Sequence, residues 1–247
     1  MEQLKGKVCV VTGGAMGIGQ KTAQTFAEEG AKVALVDVNM EKGKESAEEI
    51  NKKNPGAAKF YACNLRKVQE IRDTVDAIYK DFGKIDAVTN IAGLANRTPN
   101  ESITEEEWDL LTDVNLKAVF FMSQAVYRYM LKQGYGKIIN LSSHRGTCTD
   151  GSHTIYDATK AGVQALARGF AVSGGSKGIC SIAVAPGYVL TPMTAHNLDT
   201  PGWLDNLKSR VPLGRFIEMQ EVANVLTFIV SDKSSGINGA TIMVDGG

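Results

Sequence analysis

The sequence predicts an α/β fold, namely a single-domain, doubly wound, seven-stranded parallel sheet (Rossmann) flanked by helices. Two observations carry this prediction. Short apolar runs rich in β-branched residues recur along the chain, and longer segments with helical character separate them. The runs are apolar on both faces, as in a parallel sheet that helices cover on each side. Strict alternation of the two kinds of segment then predicts right-handed crossovers.

The elements are predicted in the following order. The strands are Lys7–Thr12, Lys32–Asp37, Ala58–Cys63, Ile85–Asn90, Lys137–Ser142, Ile179–Ala185 and Ala240–Asp245. The helices cover 17–30, 40–53, 67–82, 104–133, 154–173 and 219–232. Thr104 and Glu107 form a capping-box pattern at the start of the long fourth helix, and Gly134 is a plausible end for it.

Composition narrows the class of protein. The 247 residues carry 27 Lys plus Arg against 27 Asp plus Glu, so no charge-driven nucleic-acid or membrane partner is expected. No apolar run approaches the roughly 18 residues of a membrane span, and no basic and apolar leader opens the chain. We therefore expect a soluble, cytoplasmic protein, with residues 1–247 as a single dinucleotide-binding and catalytic domain.

The cysteines and one proline-rich segment complete this outline. The four cysteines are dispersed without a metal-binding or disulfide pattern, so we expect reduced structural thiols and no metal site. Residues 192–212 carry three prolines and only weak periodicity. A connection of that length is typical of a functional lid, and we predict a substrate lid there.

A glycine-rich turn follows the first strand. Gly13, Gly17 and Gly19 lie between that strand and the next helix, where glycines permit a tight turn and the helix N-terminus favours a pyrophosphate. Asp37 ends the second strand, 24 residues after Gly13. Its carboxylate can bind adenosine ribose hydroxyls and repel a 2′-phosphate. Because Met16 and Val38 offer no cation for such a phosphate, the sequence predicts NAD as the cofactor.

Tyr156 and Lys160 are four residues apart in a predicted helix and therefore share one face. An ammonium near a phenol favours the phenolate, so we expect the pKa of Tyr156 to fall and the phenol to act as an acid or base near neutrality. This spacing also arises by chance in sequences of this length. The pair therefore indicates a catalytic site only together with other motifs.

Further motifs supply that support. Asn90-Ile91-Ala92-Gly93 ends the fourth strand, Asn115 lies in Asp113-Val114-Asn115, and Ser143 lies 13 residues before Tyr156. Pro186-Gly187-Tyr188-Val189-Leu190-Thr191-Pro192 follows the sixth strand. With the glycine turn and the Tyr-Lys pair, this set resembles the short-chain dehydrogenase/reductase family over essentially the whole chain. Asn64 and Ile91 depart from the family's usual Asp and Asn, away from the reacting atoms.

The resemblance implies a role for each matching residue. Tyr156 would exchange a proton with the substrate oxygen, Lys160 would lower the Tyr156 pKa and hold the nicotinamide ribose, Ser143 would bind the same oxygen, and Asn115 would support a water. The implied cofactor contacts are Gly13, Met16, Gly17, Ile18, Gly19, Asp37, Val38, Asn64, Leu65, Asn90, Ala92, Gly93, Tyr156, Lys160, Pro186, Gly187, Val189 and Thr191. The family also implies a homotetramer built on helices 104–133 and 154–173 and the last strand.

The substrate is predicted from the polar loop 144–153. Several donors facing one cavity suit a polyol, sugar or hydroxy acid, with Ser143, Arg145, His153 and Tyr188 as candidate contacts, although a solvated loop has the same composition. Arg97 and Arg145 suit either a substrate carboxylate or a surface salt bridge.

Other functions remain open from the sequence. A hydroxysteroid or 3-oxoacyl reductase is the alternative enzyme, and a non-catalytic NAD-binding sensor is the rival from another class. The complete set of Asn115, Ser143, Tyr156 and Lys160 argues against the sensor. We therefore expect an NAD-dependent alcohol dehydrogenase or ketone reductase.

Overall fold

A computed structural model of the chain describes residues 2–192 and 202–247. Within these residues, seven parallel strands form one sheet in the order β3-β2-β1-β4-β5-β6-β7. The strands are β1 (Val8–Thr12), β2 (Lys32–Asp37), β3 (Ala58–Ala62), β4 (Ala87–Asn90), β5 (Gly136–Leu141), β6 (Ile179–Pro186) and β7 (Thr241–Val244). The predicted fold class is confirmed. The strand order reverses between β1 and β4, and this reversal opens a crevice at their carboxyl ends.

Helices fill the connections between the strands. They are α1 (Gly17–Glu28), α2 (Met40–Lys53), α3 (Val68–Phe82), α4 (Glu105–Thr112), α5 (Ala118–Gln133), α6 (Thr154–Gly174), α7 (Trp203–Lys208) and α8 (Met219–Val230). All except α7 lie in predicted helical segments. The short α7 falls within the predicted lid, of which residues 193–201 lie outside the described residues. No helix in the described ranges is long and apolar enough to span a bilayer.

The segment predicted as one helix over 104–133 is interrupted. A π-helical turn over Asp113–Lys117 separates α4 from α5. The Thr104 side chain accepts from the Glu107 N–H at 3.2 Å, but the Glu107 carboxylate accepts from Thr98 and Asn96 instead of returning to the cap. The capping box is therefore half formed. Single π turns occur preferentially at functional sites, and this one carries a predicted site residue.

Two apolar layers hold the sheet from opposite sides. One layer packs Phe26 of α1 and Leu226 of α8 against the sheet, and the other packs Val75 of α3 and Met122 of α5 against its opposite face. These side chains are at most 1% exposed. Both faces of the sheet are consequently packed. The residues that follow the carboxyl ends of the strands are therefore placed by this packing.

Phe26→Ala tests the first of these layers. Truncating a fully buried phenylalanine removes apolar contacts and leaves a cavity, so we expect the free energy of unfolding to fall by about 3–5 kcal/mol. Urea denaturation followed by circular dichroism measures the change. Met40→Ala, at a side chain that is 55% exposed, is the control and should change stability by less than about 0.5 kcal/mol. Equal losses in the two variants would contradict the assigned core.

Candidate active site

The carboxyl ends of the central strands open into a cleft of about 870 Å³. This volume is typical of cofactor and small-molecule sites. Most of the predicted site residues line it, namely Gly13, Met16, Gly17, Ile18, Gly19, Asp37, Val38, Asn64, Leu65, Ala92, Gly93, Ser143, Arg145, His153, Tyr156, Lys160, Pro186, Gly187, Tyr188, Val189 and Thr191. Positions that are far apart in the sequence therefore meet in one crevice.

The glycine turn between β1 and α1 forms one end of the cleft. Gly13 and Gly17 have φ values of +70° and +60°, which disfavour other residues. A Cβ at Gly19 would lie 2.0 Å from the Gly13 carbonyl oxygen, so the turn closes only without side chains. Among the described residues, no side chain caps α1 and its first turn contains no acid. The first N–H groups of α1 thus suit a pyrophosphate.

Asp37 lies beside this turn at the end of β2. Its carboxylate accepts from the backbone N–H groups of Ala15 at 3.2 Å and Asn39 at 3.0 Å while it also lines the cleft. The carboxylate is therefore held in place before any ligand arrives. Together with the glycine turn, a fixed carboxylate one strand away fits the adenosine half of a dinucleotide.

Thr12 is a positioning residue that the sequence reasoning missed. Its hydroxyl accepts from the N–H groups of Ile91 at 3.0 Å and Ala92 at 3.2 Å. A Cβ at Gly13 would lie 2.9 Å from the Ala92 nitrogen, so the two strand ends are in direct contact. A threonine directly before the glycine turn was the available signal. The Thr12 hydroxyl fixes the segment after β4 against the glycine-turn end of the cleft.

Asn90, predicted as a cofactor contact, lies behind the wall of the cleft. Its amide donates to Ser123 at 3.0 Å and to Asn140 at 2.8 Å, and it is 2% exposed. In the structure it connects β4 to β5 and α5. The sequence placed it at the end of a strand but could not show which way its side chain points.

Asn115 is also buried behind the wall, on the π turn. Its side-chain oxygen accepts from the Leu94 N–H at 2.8 Å, and its amide donates to the Leu94 carbonyl at 2.8 Å and to Thr159 at 3.3 Å. The side chain thus joins the segment after β4 to α6. It also lies close to Gly93, where a Cβ would be 3.3 Å from Asn115 Oδ1 and 3.5 Å from Lys160 Nζ.

Tyr156 and Lys160 share one face of α6, as predicted. The Lys160 ammonium donates to the Leu141 carbonyl at 2.8 Å and lies 5.6 Å from the centre of the Tyr156 ring. Lys160 is 3% exposed, and burial lowers its pKa to about 8. The phenol therefore has the lysine beside its ring.

The expected fall in the Tyr156 pKa does not occur in the structure. Burial raises the pKa of the phenol, and the hydrogen bond with Ser143 and the positive charge of Arg145 only partly oppose this. Two physical reasons account for the difference. The ammonium of Lys160 is directed at the Leu141 carbonyl, and burial disfavours its charged form as well.

Ser143 begins the turn that follows β5. Its hydroxyl accepts from the Arg145 N–H at 3.2 Å, and the next residue, His144, lies 3.3 Å from the Pro186 carbonyl through Nδ1. The His144 ring also meets Tyr188 edge to face at 4.9 Å between centroids. Burial lowers the pKa of His144, so the neutral ring is favoured near pH 7. His144 thus joins the Ser143 turn to the segment after β6.

Arg145 lines the cleft but is already engaged. Its guanidinium forms ion pairs with Asp157 at 2.7 Å and Asp150 at 2.6 Å. The structure therefore shows Arg145 in salt bridges, but the side chains of Arg145 and Asp157 are only 10% and 11% exposed, so this pair is not the surface salt bridge that was the predicted alternative. Near it, Arg97 donates to His153 at 3.3 Å.

The remaining wall of the cleft is largely apolar. It is formed by Leu94, Leu110, Val114, Leu207 and Phe216. Leu207 belongs to α7, so the described part of the segment predicted as a lid does border the cleft.

Comparison with known proteins agrees with this arrangement. The family model described as enoyl-(acyl carrier protein) reductase matches residues 13–247. The 3-oxoacyl-[acyl-carrier-protein] reductase FabG of Thermotoga maritima is 38% identical over 99% of this chain and 98% of its own. The D-threitol dehydrogenase of Mycolicibacterium smegmatis is 36% identical over 99% and 94%, respectively.

A solved structure extends the comparison. A gluconate 5-dehydrogenase from Burkholderia cenocepacia, in complex with NADP and tartrate, superposes with a TM-score of 0.95 at 32% identity over 100% of this chain and 96% of that one. The chain belongs to the short-chain dehydrogenase/reductase family. It is an oxidoreductase of that family's type.

Lys160→Met tests the burial of the lysine. The lowered pKa, about 8 against 10.5 for the exposed group, means that the unfolded chain binds more protons at this site between those two values. The contribution of Lys160 to the free energy of unfolding therefore rises with pH across that window. We expect the wild type to gain about 2 kcal/mol relative to Lys160→Met between about pH 7 and pH 10.

Urea unfolding of both proteins across this range measures the difference, and subtraction removes the other groups that titrate there. Parallel stability curves for the two proteins would contradict a buried lysine with a lowered pKa.

Proposed function

We propose that this chain interconverts a secondary alcohol and a ketone with NAD as its cofactor, and that the substrate is a small polar molecule such as a polyol, sugar or hydroxy acid. One observation carries the proposal. The Tyr156 phenol and the Ser143 hydroxyl share one cleft with a glycine turn and a fixed Asp37 carboxylate.

One set of residues in the cleft would bind the cofactor, and another would contact the substrate oxygen. The first N–H groups of α1 would hold the pyrophosphate, and Asp37 would hold the adenosine ribose. Once bound, the cofactor would supply the hydride acceptor or donor at nicotinamide C4 and, in its oxidised form, a positive charge. Ser143 would donate to the substrate oxygen and stabilise the charge that develops there.

Tyr156 would exchange the proton with the same oxygen. Because burial raises the pKa of its phenol, the protonated form prevails near neutrality and suits donation to a ketone. Oxidation of an alcohol needs the phenolate, so its rate should rise with pH. Lys160, held by the Leu141 carbonyl, would contribute positive charge to this region below its pKa of about 8.

The preference for NAD rests on Asp37. The related gluconate 5-dehydrogenase structure contains NADP, so the family resemblance alone does not decide between the two cofactors. Here a carboxylate fixed by Ala15 and Asn39 lines the adenosine end, and the next residue is Val38, which offers no cation to a 2′-phosphate. A like charge in that position disfavours NADP.

The polar substrate is supported by one rim of the cleft. Ser152, His153 and Arg97 line it together with Tyr188. Two of the relatives are named for polyol or hydroxy-acid substrates, threitol and gluconate. The apolar wall of Leu94, Leu110, Val114 and Leu207 favours the second candidate, a 3-oxoacyl or hydroxysteroid reductase.

We also propose that the chain assembles as a homotetramer. Large apolar side chains are exposed on the single chain: Trp108 on α4, Phe120 on α5, Phe228 on α8 and Met243 on β7. Trp108 and Phe120 lie in the segment 104–133 and Met243 lies on the last strand, two of the elements that the family resemblance implicates.

Asp37→Ser tests the cofactor assignment. Removing the carboxylate removes both the ribose acceptor and the charge that repels a 2′-phosphate, so we expect KM for NAD to rise about tenfold or more and the preference over NADP to shrink. Steady-state kinetics with both cofactors measure this. Glu41→Ser, at an exposed acid in the first turn of α2, is the control for a general change in charge. An unchanged ratio of NAD to NADP efficiency in Asp37→Ser would contradict the role of Asp37.

A substrate panel followed at the absorbance of reduced nicotinamide tests the reaction itself. We expect oxidation of D-threitol, gluconate or a similar polar alcohol, with a rate that increases from neutral to alkaline pH. Tyr156→Phe should lose at least about a thousandfold in kcat while its affinity for NAD, measured by calorimetry, is largely kept. Turnover of steroids or acyl substrates alone would exclude the polar substrate, and full activity in Tyr156→Phe would exclude the reaction site.

A further inference from the structure

Arg145 and Asp157 form a nearly buried ion pair beside the phenol. Arg145 Nε donates to Asp157 Oδ1 at 2.7 Å, and Nη2 donates to Oδ2 at 3.4 Å. The two side chains are 10% and 11% exposed. Asp157 directly follows Tyr156, and Arg145 lies two residues after Ser143. The pair therefore connects the neighbours of the two groups that would touch the substrate oxygen.

The ion pair joins a short turn to α6. The turn over His144–Gly146 lies against the helix so closely that a Cβ at Gly146 would be 2.8 Å from the Lys160 carbonyl oxygen. Its start is fixed by the Arg145 N–H, which donates to the Ser143 hydroxyl oxygen at 3.2 Å. Arg145 thus contacts Ser143 through its backbone and Asp157 through its side chain.

A second acid, Asp150, binds the same arginine and can be compared with Asp157. Its carboxylate accepts from the same guanidinium at 2.6 Å, but its side chain is 41% exposed and it lies on the loop before α6. The two carboxylates accept from Nε and Nη2 of this guanidinium. Stability does not explain the buried pair well, because the desolvation of a buried ion pair offsets most of its attraction.

Among the described residues, titratable groups lie near the phenol on α6, on the turn after β5 and on the loop before α6. Lys160 and Asp157 come from α6, Arg145 comes from the turn after β5, and the His153 ring lies 6.3 Å from the phenol ring. Arg145 lowers the pKa of Tyr156 and Asp157 raises it. The two partners of one ion pair therefore act on the phenol in opposite directions.

We propose that Arg145 and Asp157 are positioning residues for proton transfer: their ion pair holds the Ser143 turn against α6 and balances the charge beside the Tyr156 phenol. This inference rests on the proposed function, because it assigns the pair a role in that reaction. It also makes a claim about the phenol that does not require turnover.

The test compares Asp157→Asn, Arg145→Gln and Asp150→Asn in the full chain. The first readout is the alkaline titration of Tyr156, taken as the tyrosinate absorbance of each protein minus that of the same protein carrying Tyr156→Phe. Asp157→Asn should shift the titration to lower pH, because a negative charge is lost beside the phenolate. Arg145→Gln should shift it to higher pH. Asp150→Asn should leave it unchanged, although it removes a carboxylate from the same guanidinium.

The second readout is the pH profile of kcat/KM for oxidation of D-threitol or gluconate. Its acidic limb should move in the same directions as the titration. Far-ultraviolet circular dichroism checks the fold, and if Arg145→Gln does not fold, Asp157→Asn against Asp150→Asn decides the test. Arg145→Lys keeps the charge and should keep the wild-type midpoint.

Two results would overturn the proposal. One is a shift in the same direction for Asp157→Asn and Arg145→Gln, and the other is an equal shift for Asp157→Asn and Asp150→Asn. If the variants shift the titration as expected but the wild type oxidises neither alcohol with either cofactor, the proposed function fails, while the effect of the ion pair on the charge at the phenol is confirmed.

Discussion

The placement of a partly buried phenol and a buried ammonium on successive turns of α6 is the constraint on which the site depends. Lys160 is almost inaccessible, and its ammonium donates to the Leu141 carbonyl at the end of β5. Both Tyr156 and Lys160 are displaced toward their neutral forms by burial. Tyr156 lines the cleft and is only partly exposed, so the charges of Arg145 and Asp157 act on a phenol that water reaches from one side only.

The sheet brings the two halves of the cleft together. The turn after β1 and the carboxylate after β2 lie on one side of the strand reversal, and the segments after β5 and β6 lie on the other. Side chains behind the wall connect these strand ends: Thr12 binds the segment after β4, and Asn115 binds that segment to α6. The apolar layers on both faces of the sheet keep these connections rigid.

Much of the fold follows from the sequence, because runs that are apolar on both faces and glycine turns are local signals. The strands, the cofactor turn and the common face of Tyr156 and Lys160 were all predictable from spacing. The direction of a side chain at the end of a strand is not local, so Asn90 was expected in the cleft and is found behind it. The expectation that Lys160 lowers the Tyr156 pKa was wrong, because spacing shows neither the burial of the two groups nor the competing Leu141 carbonyl. The partners of Arg145 were left open for the same reason.

A crystal structure of the full chain with NAD bound would show whether the Tyr156 phenol and the Asp37 carboxylate contact the same nucleotide. We expect the Tyr156 oxygen to face the nicotinamide end and Asp37 to lie within hydrogen-bonding distance, about 2.7–3.2 Å, of the adenosine ribose hydroxyls. We also expect the Arg145–Asp157 ion pair to stay closed beside the phenol. A nucleotide bound elsewhere, or a phenol turned away from it, would contradict the role of this cleft.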